Sequence, residues 1–357
     1  TNTCLGNNSN FINQSSVAGG ISFTSEWSFS DGTQSTMANP VHAFTSSGTF
    51  TTLLTVTSVN GCISNSTHAS RVYLPPTTVF VAPDVCHGAV TRFDDNSYSQ
   101  DGQISTWMWN FGDGSSSTEG NPSHLYTGTG SYNVSLTTTS SFGCSSPFQD
   151  TVEIYTKPIS RIQTANVCEG VPVNFINTTV NNTGTNVTYL WDLGNGFTST
   201  DSSLIYDFTG AGTYDVTLTA TSGYGCTDTQ LNRLTVYPLP VANFGGSDVC
   251  LNTNTSFANN STIQTGTIRS YTWDFGDGTG SSQKNTIHQY SSPGTYQVNL
   301  TAVSDQGCIN SYPSEVAVHP NPTVIFSGGL QGCAPLLATF NNASVISTGT
   351  ITGWLWN

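Results

Sequence analysis

Trp109-Asn110-Phe111-Gly112-Asp113-Gly114 is the stretch on which the reading of the chain turns. It returns as Trp273-Asp274-Phe275-Gly276-Asp277-Gly278, as Trp191-Asp192-Leu193-Gly194-Asn195-Gly196 and, more loosely, as Trp27-Ser28-Phe29-Ser30-Asp31-Gly32. A fifth occurrence begins at Trp356-Asn357. The tryptophans stand 82 residues apart as far as Trp273, and 83 apart at the last step. A period that regular describes an array of one unit. Within the unit, Trp and the residue two positions on share one face of a strand. The Gly-Asp-Gly that follows supplies a tight turn with positive φ. The recurring Asp has two readings, turn chemistry or a metal or acid–base site, and its recurrence in copy after copy favours the turn.

Composition agrees with an array of small cores. The chain has 357 residues, 36% of them hydrophobic and only 8% charged, and a unit of 82 residues lies within ordinary domain size. The polar remainder is Ser, Thr, Asn and Gly, which suits strands and turns and disfavours helix. The net charge is -14, and the only lysines are Lys157 and Lys284. Such a surface has little with which to neutralise phosphates, so a nucleic-acid partner is not expected. No apolar run reaches membrane-spanning length. No signal peptide is visible and the chain opens mid-pattern, which predicts a mature piece of something longer.

The nine cysteines form two series. Cys4, Cys86, Cys168, Cys250 and Cys333 precede a strand, in a short turn. Cys62, Cys144, Cys226 and Cys308 each follow a glycine in a late turn. The absence of Cys-x-x-Cys argues against a zinc ribbon or a redox motif. Periodic cysteines in a Thr/Ser/Asn-rich chain point to disulfides and an extracellular or cell-surface location.

Prolines at 76, 158, 240 and 322 repeat the same spacing and mark the joints. The expected domains are 1–74 (without the first strand of the others), 75–156, 157–238, 239–319 and the start of a fifth at 320–357. Short proline joints should restrict the angle between neighbours. In the second copy the pattern predicts strands at Thr78–Ala82, Val90–Phe93, Ile104–Phe111, Tyr132–Thr138 and Thr151–Tyr155. Short alternating strands between Gly/Asn/Ser turns predict an all-β fold, a tandem array of antiparallel sandwiches. Gly130-Ser131-Tyr132 recurs at Tyr214 and Tyr296, and as Phe50 in the first copy. An aromatic there fits a tyrosine corner, whose hydroxyl caps a bend; Phe50 lacks that hydroxyl, so its corner should be weaker.

Taken together, Trp-Asp-Phe-Gly-Asp-Gly, Asn121-Pro122-Ser123-His124-Leu125-Tyr126 and Gly-x-Tyr-x-Val-x-Leu-Thr resemble the PKD (polycystic kidney disease) domain. The resemblance spans essentially the whole chain. It implies immunoglobulin-like sandwiches of extracellular proteins. Tandem cysteine-bearing copies of this style are similar to those of large Bacteroidota surface adhesins, gliding adhesins among them.

Comparison among the copies sorts the candidate site residues, since a catalytic residue should be unique to one copy. His42, His124 and His288 share a position that Tyr206 takes in the third copy, which fits a hydrogen-bonding strut better than a metal ligand. Trp107 and Trp354 align with Tyr189, Tyr271 and Ser25. They read as core or rim packing, with a carbohydrate platform as the alternative. Only the second copy carries Asp94, Asp95 and Asp101 together, an oxygen-rich loop that suits calcium and resembles the Ser-x-Asp-x-Asp-Gly segment of many PKD domains. The alternative is a solvated polar loop. No Ser/His/Asp set stands apart, so no catalytic residue and no other cofactor is expected. Sequons such as Asn133-Val134-Ser135 and Asn177-Thr178-Thr179 are no more than this composition produces.

For the disulfides, the obvious pairing is within a copy, as Cys86–Cys144. Sandwich topology argues the other way. Cys86 sits where the chain leaves its unit, and Cys144 lies beyond the far end of a strand about eight residues long. That strand spans roughly 26 Å, whereas a disulfide needs Cα atoms within about 7 Å. Pairing between consecutive copies gives Cys4–Cys144, Cys86–Cys226 and Cys168–Cys308, with Cys62, Cys250 and Cys333 left for copies outside this sequence. Each such bridge should contribute about 2–4 kcal/mol.

These features predict a non-enzymatic structural or adhesive segment of a long extracellular fibre, acting as a stiff spacer. Its expected partners are neighbouring copies of the unit, other chains in a filament and surface glycans. The alternatives are accessory modules of a secreted hydrolase and carbohydrate-binding repeats.

Overall fold

The computed structural model describes residues 2–329 and 338–356. No helix occurs among them, and each full copy is an all-β, immunoglobulin-like sandwich. In the second copy the larger sheet runs, in spatial order, Ser116–Ser117, Ile104–Asn110, Gly130–Ser140, Ser145–Tyr155 and Val85–Cys86. Facing it are short pairs, Thr91–Arg92 with Ser123–His124 and Asp94–Asp95 with Phe80–Val81. The third and fourth copies close the same layer into three-stranded sheets; the third uses Ile162–Gln163, Val173–Asn177 and Leu204–Tyr206.

Two features depart from the sequence reading. The cysteine-bearing Val85–Cys86 is a short strand running parallel to the exit strand, with Val85 opposite Ile154 and Cys86 opposite Tyr155. The side chain of Asp84 holds it there, its Oδ1 accepting from the Glu153 amide at 2.8 Å and its Oδ2 from the Tyr155 hydroxyl at 3.0 Å. Asn2, Asn166 and Asp248 accept the equivalent backbone bond in the other copies. Second, the closing strand is eleven residues, Ser145–Tyr155, rather than the five expected. Its first half is polar and contains Pro147, so hydrophobic alternation does not announce it. Val85–Cys86 covers only its far end, and the uncovered half is an edge that tolerates proline.

The tryptophan is the centre of each core. Trp109 and Trp191 are fully buried, with Phe80, Phe93, Phe111, Val134 and Leu136 around the former. Each of these four core indoles spends its one donor on a carbonyl ten residues on: Trp27 on Met37, Trp109 on Glu119, Trp191 on Asp201 and Trp273 on Gln283, at 2.8–3.1 Å. This satisfies the single polar atom that burial would otherwise penalise. The first glycine of the turn is required twice over. Gly112, Gly194 and Gly276 have φ of +72° to +83°. A Cβ on any of them would also come within 2.5–2.7 Å of the carbonyl oxygen of Asn133, Asp215 or Gln297.

By its contacts the chain divides into two compact units. The first is Thr1–Ile159 with Asn181–Val187 and Thr221–Asp228; the second is Ser160–Val180, Thr188–Ala220 and Thr229–Asn357. The loops at one end of the third copy thus belong with the second copy.

Candidate functional site

Two constellations recur along the chain, one inside each copy and one where consecutive copies meet. The first joins the Gly-Asp-Gly turn to the opposite sheet. Asp31, Asp113 and Asp277 each place Oδ2 within 2.6–2.7 Å of Nε2 of His42, His124 and His288. Their Oδ1 atoms accept from the amide and hydroxyl of Thr33, Ser115 and Thr279. The imidazoles lie flat on Phe29, Phe111 and Phe275, with ring centroids 4.2–4.4 Å apart.

Partial burial by itself would raise the Asp113 carboxyl. The bonds from Ser115 and His124 outweigh that effect and hold it at about 2. Asp31 and Asp277 are lowered by the same balance. In the third copy the pair is replaced as a whole, Asn195 Nδ2 donating to the Tyr206 hydroxyl at 3.0 Å.

An Asp, a His and a hydroxyl within reach of one another superficially resemble a hydrolytic triad. The connectivity is wrong for one, because the carboxylate and the hydroxyl both address Nε2 and, among the described residues, no carboxylate orients Nδ1. The grouping ties two sheets together.

Tyrosine hydroxyls reinforce it. Tyr214 donates to the Gly210 carbonyl and Tyr296 to that of Ser292, both at 2.8 Å, and the Tyr132 oxygen lies against Gly128. Phe50 instead stacks on Phe44. Sequence reasoning missed a second, more buried pair. Tyr126 and Tyr290 donate to the carbonyls of Phe111 and Phe275 at 3.0 and 3.1 Å. Burial pushes both phenols up, that of Tyr290 to about 12. The available signal was the tyrosine that follows His-Leu and His-Gln.

The acidic loop of the second copy does not gather into a calcium site. Asp101 turns to the preceding copy, accepting from Arg71 Nη2 at 3.0 Å and from the Leu74 amide at 2.8 Å. The Leu74 amide, and then Arg71, lower its carboxyl. Asp95 accepts from the Ser97 amide and from Nε1 of Trp107, and Asp94 is exposed. Among the described residues no group of three or more His, Cys, Asp or Glu side chains could hold a metal ion. Trp107 packs against the core and Trp354 is exposed.

Asp101 belongs to the second constellation, the joints. Among the described residues three disulfides are present, Cys4–Cys144, Cys86–Cys226 and Cys168–Cys308, with Cα separations of 5.5–5.6 Å. Each takes one half-cystine from the parallel edge strand of a copy and the other, buried one from the late hairpin of the next copy. In the first unit, stacked rings accompany two of the bridges. Tyr73 lies on Phe142 at 4.0 Å, and Tyr155 on Tyr224 at 3.9 Å, the planes within 6° of parallel. Arg71 also covers the Tyr73 ring, 5.3 Å from its centroid. In the second unit the corresponding tyrosine, Tyr237, lines a small cleft together with Gln306. Cys62 and Cys250 are free and exposed; Cys333 lies outside the described residues.

A family model described as PKD domain matches residues 1–74, 73–156, 155–236 and 238–319. The chain is 29% identical over 168 residues to the pre-pro-metalloprotease PrtV of Vibrio cholerae, covering 44% of this chain and 18% of that protein. It is 42% identical over 64 residues to the collagenase ColA of Bacillus cereus, covering 18% of this chain and 7% of that protein. The chain therefore spans less than a fifth of the length of these relatives. Among solved structures, the PKD1 domain of the Vibrio cholerae metalloprotease PrtV is 35% identical, covering 22% of this chain and 96% of that domain, with a TM-score of 0.21.

Proposed function

The chain belongs to the PKD domain family, and from that premise we propose that it is a non-catalytic, disulfide-clamped spacer in an extracellular or cell-surface protein. The observation that carries this reading is that all three disulfides join consecutive copies. A bridge within a domain stabilises that domain, whereas a bridge across a joint limits how far the joint can open. An oxidising compartment is the one in which such bridges persist. The recurrence of the Asp–His grouping supports a scaffold role, because a scaffold residue is needed in every copy.

Pulling the chain by its ends tests the clamp. A whole 82-residue copy releases up to about 280 Å when unravelled. In the oxidised chain force enters each copy at its cysteines, so steps should be clearly shorter, and reduction should restore the full length. Identical steps before and after reduction would remove the basis of the proposal.

The parent is read first as a long surface fibre, in which stiff repeated units hold a terminal binding region away from the cell. A second reading is favoured by the matches to a metalloprotease and to collagenases: the same units spacing a catalytic domain from its polymeric substrate. The complete reading frame decides between them. Further copies and a surface-sorting domain would support the fibre, and a peptidase domain the hydrolase.

A further inference from the structure

The joint between the third and fourth copies is where the array departs from its own period. At the two earlier joints a tyrosine of one copy is covered by an aromatic ring of the next, Tyr73 by Phe142 and Tyr155 by Tyr224. At the third, Tyr237 keeps its place, but the residue in the covering position is Gln306. Among the described residues no aromatic ring is stacked on Tyr237. A cleft of about 180 Å³ opens there instead, lined by Tyr237, Pro238, Ile263, Gly266, Asp305 and Gln306. Asp305 is equally particular to this joint, since Ser141 and Gly223 hold its position in the second and third copies. Its carboxylate lies across Gly266, so closely that a Cβ there would meet Oδ1 at 2.9 Å. The space therefore combines a tyrosine face with an unneutralised acid at its rim.

We infer that this cleft is a docking site for an arginine side chain of a partner protein. The first joint shows that a tyrosine at this place takes a guanidinium and an acid together, there alongside the stacked Phe142 ring. There the Arg71 guanidinium lies 5.3 Å from the centroid of Tyr73 and pairs with Asp101 at 3.0 Å. The third joint has Thr235 and Thr265 where the first has Arg71 and Asp101. It thus offers the tyrosine, with a substitute acid in Asp305, and lacks the cation. A guanidinium is planar, stacks on aromatic faces and pairs with carboxylates through a rigid fork. A lysine can supply the charge but not the plane. The net charge of -14 favours a basic partner throughout the approach. This role would give the spacer a lateral contact at one defined place along its length.

The test is an NMR titration of the full, oxidised chain with the capped peptides acetyl-Gly-Arg-Gly-amide, acetyl-Gly-Lys-Gly-amide and acetyl-Gly-Phe-Gly-amide, following the Gly266 amide and the Tyr237 ring. The arginine peptide should give saturable shifts, with the lysine peptide at least threefold weaker. D305N should weaken arginine binding about fivefold. Q306Y, whose larger side chain fills the cleft that Gln306 lines, should weaken it at least fivefold while leaving Cys168–Cys308 formed. Non-saturable shifts, unchanged binding by Q306Y, or preference for the phenylalanine peptide would each overturn the assignment.

Discussion

Asp113 and His124 come from opposite sheets, and what passes between them is one hydrogen bond of 2.7 Å on a carboxyl held at about 2. Its sign with pH is fixed by that depression. The folded value lies below the ordinary one, so the contribution is fully present above about pH 4 and is lost as pH falls towards 2. For a partly exposed group it amounts to about 1–2 kcal/mol. The third copy is an internal control, because Asn195 and Tyr206 make the same tie without a carboxylate. Hydrogen exchange resolved by copy, corrected for intrinsic rates, should show protection falling between pH 4 and 2 in the first, second and fourth copies. The third should hold; equal loss in all four would contradict the role given to the aspartates. The histidine strut was legible because His and Tyr exchange at one position. Asp101 was not legible as a joint residue, because an acid in a polar loop carries no mark of Arg71 and Leu74, which reach it from the preceding copy.

At the scale of the element, the turn after the tryptophan separates two demands that a glycine can meet. Gly194 has φ +72° and its Cβ direction ends 2.7 Å from the Asp215 carbonyl, whereas Gly196 has φ +91° and opens into free space. Gly196→Ala should cost about 1–2 kcal/mol from the left-handed backbone alone. Gly194→Ala should cost more, since a collision with fixed backbone is added. Denaturant unfolding of the two variants measures the difference, and equal losses would show that close approach is not what selects the first glycine. The Trp strand and this turn were readable because a bulky alternation runs straight into Gly-x-Gly. The long closing strand was not. Ser145 to Asp150 has no inward pattern beyond Phe148, and the extension rests on backbone pairing with Gly130–Ser140.

For the whole molecule, the mechanical role depends on which cysteine meets which. The direction of one strand was enough to separate Cys86 from Cys144 by the length of a sandwich, and the structure has Cys86 bonded to Cys226. The departures of the third joint lay outside that reasoning, since they show only when each joint is compared with the others. If consecutive copies are clamped, the bridges stabilise the joints and local unfolding of a single copy cannot lengthen the chain by its full contour. The most direct test is mass spectrometry of a non-reduced proteolytic digest. Peptides linking Cys4 to Cys144, Cys86 to Cys226 and Cys168 to Cys308 are expected; a peptide linking Cys86 to Cys144 would contradict the clamp.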